Sequence, residues 1–136
     1  MDINLLNGLS LAYAGDAYYE LLIREHFINQ GKTKVNDLHK NVIKYTSGLS
    51  QAKFIHYFLE NNILTEEEIN IFKRGRNSHV HTSRKNLDLK DYLDATGFEA
   101  LIGYLYLKKS FDRINALMEI IYNLWKNGEV SYVKKI

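Results

Sequence analysis

Two acidic residues stand where an acid is uncommon. Asp16 lies in LAYAGDAYYE, residues 11–20, among apolar or small side chains, and Glu99 lies in ATGFEALIGYLYL, residues 95–107. An ionised carboxylate buried beside Phe98, Leu101 and Ile102 needs a partner or a metal ion. On a helix, a spacing of four puts Ala12, Asp16 and Glu20 on one face, and Thr96 and Gly103 share the face of Glu99. Glycine in mid-helix costs about 1 kcal/mol against alanine, so Gly15 beside Asp16 points to a close approach by another backbone or a ligand. Both acids keep a plainer reading: Asp16 as an acid on a solvated helix edge, Glu99 as half of a salt bridge to a lysine.

Charge is unevenly spread. Net charge is only +2, too small for bulk electrostatics to name a partner. Residues 73–85 nevertheless hold five Lys or Arg, two His and no acid. Lys73, Arg74, Arg76, Asn77, Arg84 and Lys85 could meet the phosphates of a nucleic acid, with Ser78, Thr82 and Ser83 nearby, although such a run is often just a solvated face. His79 and His81 lack a cysteine or a second histidine pair to complete a tetrahedral zinc set.

These residues need elements to position them. The 136 residues fit one domain spanning 1–136. Hydrophobic residues at 46% and charged residues at 25% are ordinary for a globular chain, proline is absent, and helix formers recur throughout, so the expectation is an all-α single compact helical domain of about six or more helices. Cysteine is absent too, which excludes disulfides and thiolate chemistry. The acidic, polar start does not match a signal peptide, and the apolar run at 101–107 is far short of the ~20 residues a membrane span needs. A cytoplasmic protein without membrane contact is expected.

Periodicity predicts a first helix from Gly8 to about Asn29 with Leu11, Ala14, Gly15, Tyr18 and Leu22 as its buried stripe, ended by Gly31. A second carries Leu38, Val42 and Tyr45, with a break at Ser47 and Gly48. A third carries Ala52, Ile55, Phe58 and Leu59 and stops at Asn61 and Asn62. Thr65 and Glu68 form a capping box for a fourth carrying Ile69 and Phe72. Residues 75–86 read as a surface loop, 92–107 as a fifth helix, and Ser110 opens a sixth to Lys126, stopped by Gly128.

The two acidic segments resemble the paired signatures of the ribonuclease III catalytic domain, LAYAGDAYYE the first and FEALIG at 98–103 the second. In length, and in NDLH at 36–39 and RGRN at 74–77, the chain is similar to the Mini-ribonuclease III branch, which lacks the double-stranded-RNA-binding domain. The resemblance implies a dimeric, metal-dependent endoribonuclease that hydrolyses double-stranded RNA to 5′-phosphate and 3′-hydroxyl ends. Its implied substrate is the precursor of large-subunit (23S) ribosomal RNA. By position it makes Asp16 and Glu99 the catalytic and metal-binding residues, with Mg²⁺ as cofactor and Mn²⁺ as a substitute. Larger family members carry acids where this chain has Ala12 and Thr96. Those two losses leave a competing expectation, a non-catalytic helical RNA-binding or ribosome-associated protein. Leu11, Ala14, Gly15 and Tyr18 serve either the monomer core or a dimer interface.

Overall fold

The computed structural model describes residues 1–78 and 88–126. A 3₁₀ turn at Ile3–Leu5 leads into six helices: α1 Gly8–Asn29, α2 Val35–Thr46, α3 Gly48–Glu60, α4 Glu66–Arg76, α5 Leu89–Leu107 and α6 Phe111–Lys126. Among the described residues no strand occurs, and no helix is long and apolar enough to cross a membrane.

Helix ends follow from local chemistry. The Asn7 side chain accepts from the Ser10 amide at 2.8 Å to open α1. Gly31, at φ +88°, closes it in the left-handed conformation that glycine adopts at little cost. Ser47 ends α2 and caps α3, accepting from the Ser50 amide. The Thr65–Glu68 capping box forms in both directions, at 3.1 and 2.9 Å.

Two boundaries and one face differ from the sequence expectation. Helix α4 runs through Gly75 to Arg76, with Asn77 as its C-cap, so the helix extends into the stretch expected as a loop, of which residues 79–87 lie outside the described residues. Gly75 is helical because α4 there lies on α5, where an added Cβ would meet Ala100 at 2.5 Å. Helix α5 starts at Leu89, three residues early. On α1 the buried row is Leu11, Gly15, Tyr19, Ile23 and Phe27. Tyr18 and Leu22 pack at its edge, partly buried, with Tyr18 against the rings of Tyr106 and Phe111. The predicted stop at Gly128 lies outside the described residues.

The core forms around α5, whose residues Asp94 to Leu105 are all buried, and α1, α3, α4 and α6 pack against it. A helix apolar all round belongs in such a centre. Arg113 of α6 ties down the rim, donating to both Glu68 carboxylate oxygens at 2.8 Å and to the Ile63 carbonyl at 2.7 Å.

Candidate active site

The main chains of α1 and α5 touch. A Cβ on Gly15 would fall 1.8 Å from the Glu99 carbonyl oxygen, and one on Gly103 would fall 1.9 Å from the Leu11 carbonyl oxygen. The close approach expected at Gly15 is therefore made by another backbone. It also assigns Leu11 and Gly15 to the monomer core, since both are buried against α5. The crossing brings Asp16 and Glu99, 83 positions apart in sequence, to one junction of two helices.

The two acids differ in surroundings. Asp16 is exposed and lines a shallow concavity of about 340 Å³ with Ala17, Glu20, Leu21 and Arg24. Glu20 is engaged by Arg24 one turn on. Glu99 is 6% exposed, and its carboxylate accepts from Gln51 Nε2 of α3 at 3.4 Å. The other end of that amide, Gln51 Oε1, is buried with no hydrogen-bond partner. A buried orphan oxygen calls for an explanation, and a cation or a water beside it supplies one. Sequence reasoning missed Gln51, although a polar residue four positions before Ile55 interrupts the apolar row of α3.

The positions one turn before Asp16 and three before Glu99 add no acid. Ala12 is buried, and the Thr96 hydroxyl donates at 3.0 Å to the Tyr92 carbonyl of its own helix. Oxygen donors from Asp16, Glu99 and Gln51 make a hard set, which fits Mg²⁺, an ion that keeps several waters and uses one or two carboxylates. Tyr19 packs edge-on against Phe98 at 5.0 Å and donates to the Tyr45 carbonyl at 2.9 Å. Burial, then the neighbouring Tyr122, Tyr45 and Glu99, push its phenol well above the ordinary range, so it stays a neutral donor.

The basic residues sit in the last turn of α4, where cations complement the helix dipole. Lys73 and Asn77 are exposed. Arg74 donates to the carbonyls of Asn4 and Leu6, each at 3.0 Å, which clasps the N-terminal segment to α4. Arg76 donates to Asn77 Oδ1 at 3.2 Å and lies over the Phe72 ring. Arg84 and Lys85, with His79, His81, Thr82 and Ser83, lie outside the described residues.

The model of the ribonuclease III domain matches residues 9–110 of this all-helical chain, so the chain belongs to that family. Its relatives narrow the branch. It is 47% identical over 118 residues to the Mini-ribonuclease 3 of Streptococcus pneumoniae, covering 87% of this chain and 92% of that one. It is also 47% identical over 126 residues to the Mini-ribonuclease 3 of Acholeplasma laidlawii, covering 90% of this chain and all of that one. Among solved structures, the crystal structure of protein FN1578 from Fusobacterium nucleatum superposes with a TM-score of 0.78 at 33% identity, covering 85% of this chain and 92% of that one.

Proposed function

We propose that this ribonuclease III-family endoribonuclease is a Mg²⁺-dependent enzyme, with Mn²⁺ able to substitute. It hydrolyses double-stranded RNA to 5′-phosphate and 3′-hydroxyl ends in the cytoplasm, and its substrate is the precursor of large-subunit (23S) ribosomal RNA. One observation carries the reading: an exposed carboxylate, Asp16, and a buried one, Glu99, stand on two helices whose backbones touch at Gly15 and Glu99, and Glu99 lies beside a buried amide oxygen that lacks a partner. The choice of ribosomal substrate rests on the family resemblance.

When bound, Mg²⁺ supplies an activated water and charge stabilisation for the departing 3′ oxygen. The chain's own residues do the positioning. Asp16 reaches out from the crossing toward solvent, where a phosphodiester can approach. Glu99 is held from below by the Gln51 amide, and the Gly15–Gly103 contact fixes the separation of their helices. Lys73, Arg76 and Asn77, with Arg84 and Lys85, serve the RNA backbone. Arg74 does so while clasping residues 4 and 6.

One domain holds one such centre, and two strands need two. A two-fold dimer provides them, because the strands of a duplex are themselves two-fold related. An unpartnered surface supports this: Leu9, Tyr13, Ala17 and Leu21 follow at spacings of four on α1 and are all exposed, Tyr13 by 85%. That row, on the side of α1 away from Leu11 and Gly15, is the interface we assign to a second copy.

The test compares wild type with Asp16→Asn and Glu99→Gln on double-stranded RNA, single-stranded RNA and nucleotides, with and without Mg²⁺. Cleavage of the duplex alone, dependent on Mg²⁺ and on both carboxylates, is the expected result. Folded variants that bind duplex RNA while wild type never cuts it would instead favour a non-catalytic RNA-binding protein.

A further inference from the structure

Nearer the N-terminal end of α5 a second cluster of metal-ligand side chains comes together. His56 of α3 and Asp91 and Asp94 of α5 place one ligand atom each within 4.8 Å of one another. His56 Nε2 lies 2.7 Å from Asp94 Oδ2, and Asp94 is buried, with 4% exposure. Lys90 reaches the same oxygen at 3.6 Å from a largely solvated side chain. The cluster borders a cavity of about 480 Å³ that also meets Phe72, Arg76, Asn77 and Leu93.

Asp91 alone has an ordinary explanation, since an acid in the first turn of a helix favours the dipole. That does not explain why a buried aspartate one turn later meets an imidazole from another helix. Asp94 and Glu99 are five residues apart, about 7.5 Å along the axis of α5, and α3 reaches both, through His56 at Asp94 and Gln51 at Glu99.

We infer that His56, Asp91 and Asp94 form a second divalent-cation site, one for a borderline transition ion such as Zn²⁺ rather than for Mg²⁺, clamping α3 to the start of α5. Mixed imidazole and carboxylate donors select such ions, whereas Mg²⁺ prefers oxygen alone. Three protein ligands leave positions for water on the cavity side. Zinc bonds of about 2.0–2.2 Å at tetrahedral angles separate two ligand atoms by roughly 3.4 Å. The present 2.7 Å contact therefore has to open by roughly 0.7 Å, a movement within reach of side-chain rotation. Lys90, solvated at its far end, swings away at little cost.

The experiment uses full-length Asp16→Asn protein, so that the crossing does not compete, with Zn²⁺ followed by calorimetry and Co²⁺ by visible absorption. One saturable Zn²⁺ per chain is expected, retained in excess Mg²⁺ and accompanied by a rise in Tm. Adding Asp91→Asn or His56→Gln should each weaken Zn²⁺ binding at least tenfold, and His56→Gln should alter the Co²⁺ spectrum. Asp91 is only half-buried, so its variant should melt like the parent without metal. If the His56→Gln protein does not fold, the Asp91→Asn result decides alone. Absence of saturable Zn²⁺ binding at millimolar concentration overturns the proposal, as does binding that survives either substitution in a folded protein.

Discussion

Substituting Gly15 by alanine sets two effects of opposite sign against each other. Alanine in mid-helix gains about 1 kcal/mol over glycine from backbone entropy alone. Its methyl, however, would sit 1.8 Å from the Glu99 carbonyl oxygen and 2.7 Å from the Gly103 nitrogen, where ordinary contact begins near 3.4 Å. Both obstacles are backbone, so no rotamer change relieves them, and the helices must part by on the order of 1.5 Å in a densely packed core. Overpacking of this kind falls at or above the top of the usual range of about 1–3 kcal/mol, which leaves a net loss of about 2 kcal/mol or more after the propensity gain. For a domain of this size that is a fall in Tm of about 6–10 °C. Because the parted helices carry Asp16 and Glu99, cleavage of duplex RNA well below Tm should fall by roughly a hundredfold. Thermal melting by circular dichroism and a single-turnover cleavage assay measure the two quantities. A Gly15→Ala protein that melts within about 2 °C of wild type and cuts at full rate would show that the helix crossing does not set the site.

Gln51→Leu removes the orphan oxygen and the donor to Glu99, so a Mg²⁺ titration of cleavage should shift to several-fold higher concentration while the fold persists. Glu68→Gln should cost about 3 kcal/mol through the broken Arg113 pair, while the glutamine oxygen can still accept from the Thr65 amide. Burial opposes ionisation of Glu68, but the Arg113 guanidinium and the Thr65 amide outweigh it and hold the carboxyl below its ordinary value of 4.5. Its contribution is therefore complete above pH 4.5 and lost as pH falls through the lower folded value, so acid melts of Glu68→Gln should be shallower than those of wild type. Replacing Lys73 and Arg76 by alanine should flatten the log–log salt dependence of RNA binding by roughly 0.7 to 0.9 per lost phosphate contact. Tyr13→Asp should shift sedimentation toward the monomer, and an unchanged dimer would locate the interface elsewhere.

What the sequence made legible was local. Asp16 and Glu99 stood out because ionised groups are costly among Leu11, Tyr13, Phe98 and Ile102. Helix ends could be read at Gly31, Ser47 and Thr65, where capping is a matter of adjacent residues. The face of α1 was harder, because spacings of three and four fit Tyr18 and Tyr19 equally until the crossing at Gly15 selects one row. Gly75 looked like a loop residue because its neighbours are basic and polar, whereas its fit against Ala100 depends on a residue 25 positions on. Gln51, His56 and the Glu68–Arg113 pair likewise acquire meaning through partners 38 to 48 positions away, separations at which periodicity carries no signal.

The burial of α5 on every side governs how the molecule can come apart. Its middle turns cannot open to solvent without releasing α1, α3, α4 and α6 together, so the amides around Glu99 should exchange hydrogen for deuterium only through global unfolding. Sub-global openings are then confined to segments outside this helix, such as the exposed N-terminal turn. Heat inactivation should follow a single exponential whose rate equals that of unfolding, with no intermediate that stays compact after Glu99 has left its place.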